Sequence, residues 1–281
     1  MNRNDCIFVP SYGRAMNILT VNLLRRHGCK KKIYVVCDDS DKDLEVYKEK
    51  FKKDCLVFSK RDYQWIDTID NSESLAGVIY ARYAIQDFAK RFGITHYLMI
   101  DDDVSDIAYR VYDDDGLKRE QVYSIDYVID AAFDFLDDSD ADALSFATGG
   151  QFIGGYGNKD VLKRFKRRVL QNLFCRTKRP LKFVGRMNED IACFVLGNKL
   201  GGIYITSYML AMHTAEEQVL NGGMTEYYAE RGCFAKAFYP VVCAPDCVKV
   251  SCVGLKNPRP CHSTDSRRML PMILNEKWKR G

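Results

Sequence analysis

The sequence predicts an α/β fold with a mainly parallel sheet flanked by helices and carrying a basic helical insertion. Three observations carry that expectation. Short apolar runs alternate with helix-period segments over the first hundred residues, which is how βα units read in sequence. Several of these runs end in turn residues or aspartates, as strands of an open sheet do at the ligand-binding edge. The length of 281 residues, with 47% hydrophobic and 28% charged, suits one large domain and excludes disordered and fibrous classes.

Taken in order, Cys6-Ile7-Phe8-Val9 reads as a strand, Pro10-Ser11-Tyr12-Gly13 as a turn and residues 15–26 as a helix. Residues 32–37 repeat the strand and run into Asp38 and Asp39. A helix over about 41–51 and a short strand over 56–58 follow. Leu75, Val78, Arg82, Ile85, Ala89 and Phe92 step by three and four, forming the seam of one long helix. Residues 96–100 return as a strand that runs straight into Asp101-Asp102-Asp103. Ser124 reads as the N-cap of a helix to about residue 136, and residues 143–147 as a buried strand. Residues 149–157 hold five glycines without the Lys-Ser/Thr of a phosphate-binding loop, which suits an acceptor-side loop. Asn188-Glu189-Asp190 opens a short helix that Gly197 is placed to stop, and residues 203–213 form one or two strands. No repeat or linker divides the chain. A single domain is expected, with a nucleotide-binding half over 1–105 and an acceptor-binding half over 106–281 that contains the insertion at 159–186.

Composition narrows the class further. No apolar run approaches the roughly 18 residues that span a bilayer, and Asn2, Arg3, Asn4 and Asp5 do not read as a leader. A cytoplasmic protein without a membrane partner is the expectation. The eleven cysteines are an odd number in a chain with ample core, so reduced thiols are expected. Cys233, Cys243, Cys247, Cys252 and Cys261 crowd near His262 but lack Cys-x-x-Cys spacing, which favours buried thiols over zinc. The net charge of +4 conceals an asymmetry: residues 159–186 carry eleven Lys or Arg against Asp160 alone, and residues 249–281 carry eight against two acids. Such separation suits a polyanionic partner; a solvated basic helix is the competing explanation.

Three successive carboxylates at the C-terminal end of a parallel strand lie where open α/β sheets bind ligands. Their hard oxygens suit Mg²⁺ or Mn²⁺, which in turn bridges phosphate oxygens. An acidic cap on the strand is the bland alternative. Arg82 sits within an apolar seam, where a guanidinium is costly unless it meets an anion. Either a buried pair with one of the aspartates or a bound diphosphate meets that need.

Together these residues resemble the GT-A nucleotide-sugar glycosyltransferases. The opening strand of that family commonly ends in Pro-Ser/Thr-x-x-Arg, here Pro10-Ser11-Tyr12-Gly13-Arg14. The second ends in an acid that contacts uridine, here Asp38 or Asp39. The long helix typically reads Gly-x-x-x-Ala-Arg-Asn, here Gly77 to Ala81-Arg82-Tyr83, with Tyr83 departing from the usual Asn. The aspartate motif is Asp101-Asp102-Asp103. The resemblance implies Asp103 as direct metal ligand, Asp101 as metal or ribose contact and Asp102 as sugar contact. It further implies Pro10, Ser11 and Arg14 as nucleotide contacts, Arg82 as a diphosphate contact, a nucleoside diphosphate sugar with uridine as the expected nucleoside, and Asp190 or Glu189 as the base for the acceptor hydroxyl. Asn188 followed by acids is also how a helix N-terminus is capped. His213 and His262 stand where such enzymes often supply a third metal ligand, and either is equally readable as an ordinary hydrogen-bonded histidine. His27 and His96 read as structural.

The basic block is interleaved with Phe165, Phe174 and Phe183, a pairing suited to phosphate backbones and exposed bases. Lys163, Arg164, Lys166, Arg167, Arg168, Arg176, Lys178 and Arg179 are its candidate nucleic-acid contacts. In general organisation the chain resembles phage glycosyltransferases that decorate hydroxymethylated pyrimidines in DNA, which implies such DNA as the acceptor. A protein or glycan acceptor is the same-class alternative. A catalytically inactive DNA-binding module and a nucleotidyltransferase are the alternatives from other classes.

Overall fold

The computed structural model describes residues 3–70, 72–113, 116–152, 161, 165–214, 225–254 and 258–271, and their side chains except those of 225–231 and 233. The strands are β1 Asp5–Pro10, β2 Ile33–Asp38, β3 Cys55–Phe58, β4 His96–Ile100, β5 Val104–Asp113, β6 Gly116–Gln121, β7 Ala143–Thr148, β8 Phe165–Lys166, β9 Asn172–Arg176, β10 Tyr204–Thr214, β11 Val248–Val253 and β12 Arg259–Thr264. The helices are α1 Leu19–Arg26, α2 Leu44–Phe51, α3 Ile79–Arg91, α4 Ile125–Ser139, α5 Glu189–Lys199 and α6 Thr225–Cys243.

The main sheet runs β3-β2-β1-β4-β9-β7-β10-β5-β6, with β8 beside β10. Its first four strands are parallel, as are β7 and β10. β9 lies reversed between β4 and β7. Because side chains alternate across a strand, β1 serves both faces. Cys6 and Phe8 pack with α3 and α5, while Ile7 and Val9 pack with α1, α2 and α4. Burial on both faces explains why β1 and β4 read as continuous apolar runs.

Where the structure departs from the sequence expectation, local geometry gives the reason. α3 begins at Ile79, because Gly77 adopts φ +134° and cannot be helical; Leu75 packs on the same core from outside the helix. α1 begins at Leu19, after a turn in which Asn17 donates to the Arg14 carbonyl. Ser124 caps α4 as expected, accepting from the Tyr127 N–H at 3.4 Å. The β5–β6 hairpin was not anticipated, since its half-exposed residues lack a clean apolar alternation.

The basic helical insertion needs the largest correction. Residues 165–186 contain no helix: they form β8, β9 and an extended return segment. β9 is fully buried at the sheet centre, because Leu173, Phe174 and Cys175 fill the core between β4 and β7. The return segment is then zipped onto α3. The Tyr83 hydroxyl bonds the Phe183 carbonyl at 2.9 Å and the Phe183 N–H at 3.1 Å, and the Gln86 amide bonds both backbone groups of Leu181. That pairing accounts for the tyrosine that stands where the family pattern has asparagine. Among the described residues no helix is long and apolar enough to cross a membrane.

Arg186 ends the segment as a clamp. Fully buried, it pairs with Asp70 at 2.9 Å and donates to the carbonyls of Ser72, Ser74 and Ala76. Removing one member of a buried ion pair costs about 3–5 kcal/mol, so Arg186→Ala should lose most of that in urea unfolding. Arg186→Lys should recover little, because an ammonium cannot reproduce the planar fork. A loss under about 1 kcal/mol in the alanine variant would show the clamp to be idle.

Candidate active site

The carboxyl edge of the parallel strands gathers the expected residues. Asp101, Asp102 and Asp103 turn off the end of β4, and α1 holds that turn from beneath. Thr20 donates its hydroxyl to the Asp101 carbonyl at 2.5 Å and accepts from the Val104 N–H at 2.9 Å, while its own N–H donates to the Asp102 carbonyl. Thr20 is fully buried. Sequence reading missed it, because a threonine in a first helical turn has many commoner roles.

The three aspartates have different tasks. Asp102 is committed internally: Ser11 donates to one oxygen at 2.6 Å and Arg14 to the other at 2.5 Å. Ser11 and Arg14, expected to touch the nucleotide, therefore lock the turn after Pro10 to the strand-end aspartates. Tyr47 completes that lock by bonding Ser11 and the Arg14 N–H. Asp101 accepts from Arg82 at 2.7 Å. Asp103 has an oxygen, Oδ1, that is buried without a hydrogen-bond partner among the described residues. Burial and the neighbouring Asp101 and Asp102 push the Asp103 carboxyl up to about 7.

Arg82 is fully buried on α3 and joins the strand-end turn to the start of α5. Its Nη2 holds Asp101 and its Nε holds Glu189 at 3.2 Å, so the ion-pair explanation of its seam position is realised. Its Nη1 has no partner among the described residues. Burial, with Asp190 alongside, pushes Glu189 up to about 7. Asp190 is raised by burial despite Arg82 and the N–H groups of Ile191 and Gln171. Asn188 makes no side-chain cap bond and instead donates to the Lys236 carbonyl on α6, while Asp190 accepts the Ile191 N–H in the first turn of α5.

At the neighbouring strand end, Asp38 is buried and holds Ser40 and Lys60, whereas Asp39 is exposed. Burial raises the Asp38 carboxyl, but the Lys60 ammonium and the Ser40 N–H more than offset it and hold it below the usual range. Lys60 also lies 4.6 Å from the centre of the Tyr12 ring. Neither candidate histidine is brought into the aspartate turn. The His213 ring contacts Arg110 at 2.9 Å, and His262 sits on β12, where burial, Lys236 and Arg168 lower it to about 4. His27 and His96 make hydrogen bonds to Val122 and Asp137 within the fold. The ten described cysteines are free thiols.

Among the described residues, the arginines of the nucleic-acid candidates have partners within the fold. Arg176 is buried against Ala141 and Asp137; Arg179 holds Asp140 and Asp142; Arg167 holds Asn198 and the Gly202 carbonyl. Arg168 donates to the Tyr208 hydroxyl. Lys166 lies on β8 and Lys178 is exposed. Lys163 and Arg164 lie outside the described residues, as does most of the glycine-rich loop.

Among the described residues no three His, Cys, Asp or Glu side chains converge on one point. Asp101 and Asp103 with an orphaned carboxylate oxygen nevertheless fit a hard divalent cation of the kind that uses one or two carboxylates and completes its shell with phosphate and water. The pH dependence follows from the raised carboxyls. Asp103 and Glu189 favour the folded state when protonated, so their contribution is full below about 4 and is lost as pH rises toward 7. A cation must displace the Asp103 proton below about 7. Added Mn²⁺ should therefore raise the melting temperature more at pH 8 than at pH 6, and Asp103→Asn should abolish most of the gain. Equal gains at both pH values, or a gain that survives the substitution, would remove this ligand assignment.

A family model described as TET-Associated Glycosyltransferase matches residues 6–223. No curated protein matches the chain. Two solved structures of glucosyl-3-phosphoglycerate synthase from Mycobacterium tuberculosis are similar to it. One, in complex with Mn²⁺, UDP-glucose and phosphoglyceric acid, shows 10% identity and a TM-score of 0.47, covering 97% of this chain and 89% of the other. The second, with Mn²⁺ and UDP-glucose, shows 9% identity and a TM-score of 0.47, covering 94% and 86%. Since the family match spans β1 to β10 and includes both the strand-end aspartates and the Glu189-Asp190 turn, the chain belongs to the TET-associated glycosyltransferase family.

Proposed function

We propose that this glycosyltransferase moves a sugar from a UDP-sugar to the hydroxyl of a hydroxymethylated pyrimidine in DNA, with Mn²⁺ or Mg²⁺ at Asp101 and Asp103. One observation carries the reading: a single buried guanidinium, Arg82, meets both the strand-end Asp101 and Glu189, which adjoins Asp190. Donor-side and acceptor-side acids thus share one edge of the sheet. The family description supports a modified-DNA acceptor.

The residues divide the work as follows. Asp101 and Asp103 would hold the cation, which when bound would supply positive charge to the departing diphosphate. Arg82 keeps Asp101 and Glu189 in fixed relation, and its partnerless Nη1 is available to the same anion. Asp190 takes the proton from the acceptor hydroxyl; its raised pKa suits a group that must gain a proton as the sugar transfers. Ser11, Arg14 and Thr20 hold the aspartate turn in place.

The test is mass spectrometry of hydroxymethylated DNA after incubation with nucleotide sugars and Mn²⁺. A gain of one sugar per modified base is expected, and Asp190→Asn should abolish it while donor binding by calorimetry persists. Glycosylation of protein or glycan with none of DNA would overturn the acceptor assignment. Normal transfer by the Asp190→Asn variant would overturn the base.

A further inference from the structure

Gln171 stands at the joint between the two groups of acids, and no sequence motif marks it. Its carbonyl accepts from the Asp101 N–H at 3.3 Å, and its N–H donates to Asp190 Oδ2 at 3.3 Å. One peptide unit on each side of this residue therefore ties the end of β4 to the first turn of α5. The backbone is bent to do so. Gln171 has φ +55°, and Asn172 N–H closes a tight turn onto the Leu170 carbonyl at 2.5 Å. Left-handed φ in a γ-turn is rare for a residue with a side chain and is strained.

The next residue holds the turn in place. Asn172 is fully buried, and its amide pairs with both backbone groups of Phe146 on β7, at 2.6 and 3.0 Å. The strained position is thus braced from β4, β7 and α5 together. The side chain adds a second penalty: Gln171 Oε1 is buried with no hydrogen-bond partner among the described residues. An acceptor buried in this way has lost its water without gaining a partner. Two costs fall on one residue that also touches both Asp101 and Asp190. Two further orphaned atoms, Asp103 Oδ1 and Arg82 Nη1, belong to the same edge.

We infer that Gln171 is a substrate-binding and specificity-determining residue, whose amide oxygen accepts a hydrogen bond from a substrate hydroxyl held between Asp101 and Asp190. Hydroxyls are carried by both the donor sugar and the acceptor, so the chemistry is shared and the source is decided by kinetics. The bound substrate satisfies the orphaned acceptor, which makes the contact discriminating. A substrate analogue without that hydroxyl leaves the amide buried and unpaired. This inference rests on reading the edge as the transfer site; wild-type turnover tests that reading, and only the variants below test Gln171.

Two variants with opposite backbone effects separate side chain from scaffold. Gln171→Met keeps the length and the left-handed strain but removes the amide. Gln171→Gly removes the side chain and relieves the strain. Nucleoside diphosphate release and the melting temperature of the substrate-free protein are measured for both. The expected result is a loss of at least tenfold in kcat/KM in both variants, with the Met melting temperature unchanged or raised, because an orphaned polar group has been replaced by an apolar one. A rise in KM for the nucleotide sugar assigns the hydroxyl to the donor, and a rise in KM for the hydroxymethylated DNA assigns it to the acceptor. Full kcat/KM in either variant would overturn the proposal. So would a fall in the Met melting temperature that tracks its loss of activity, the behaviour of a purely structural residue.

Discussion

The site is organised around one buried cation. Arg82 is fully buried in α3, and a desolvated guanidinium is tolerable only with close anions. Asp101 and Glu189 supply them from the end of β4 and the start of α5, 88 positions apart in the chain. The dependence is mutual. Without Arg82 the buried Glu189 and the half-buried Asp101 would each lose the cation that pairs with them. Without them, the apolar seam of α3 would be broken by an unpaired charge. The constraint therefore fixes which helix, which strand end and which turn meet, and every proposed step in sugar transfer uses one of these three places.

That single cation does not neutralise its surroundings. Asp101, Asp103, Glu189 and Asp190 are all raised above ordinary carboxylates, with burial the largest cause in each and neighbouring acids adding to it for Asp101, Asp103 and Glu189. Arg14 is largely committed to Asp102 and lies 3.9 Å from Asp103. An edge with this excess of negative charge is suited to receive further positive charge, and a divalent cation arriving with a diphosphate supplies it at the point where a leaving group needs it.

Much of this was legible in the sequence because continuous apolar runs and periodic seams survive folding. β1, β2, β4, α3 and β7 sit within a few residues of their expected positions, and the break in the seam at Arg82 announced its burial correctly. The chemical partition among neighbours was not legible. Asp101, Asp102 and Asp103 are identical in sequence, and only the tertiary positions of Ser11, Arg14 and Arg82 give each its role. Gln171 and Thr20 were invisible for the same reason, since their bonds to the aspartate turn depend on tertiary positions that no residue-type pattern encodes. The partners of the basic block were not legible either, because charge counted along a chain does not say which side chains the fold pairs. Two of its arginines, Arg176 and Arg179, answer an acidic run, Asp137, Asp140 and Asp142, which lies about forty residues earlier at the end of α4 and just beyond it.

The block's placement nonetheless ties it to the site. β9 runs opposite to β4 and β7, so the residue entering it, Gln171, lies at the carboxyl edge beside Asp101. The chain then crosses to the far end of the sheet, where Arg176 and Arg179 are tied to α4 and the turn that follows it. It returns along α3 through Leu181 and Phe183 and delivers Arg186, Glu189 and Asp190 to the edge it left. An all-parallel insertion would need a crossover helix to make the same return. One reversed strand achieves it in under twenty residues, and both ends of the excursion finish on the same carboxylates. Arg176 and Arg179 thus secure the far end of this loop, and the return segment is held on α3 by Tyr83 and Gln86 up to the turn that carries Glu189 and Asp190.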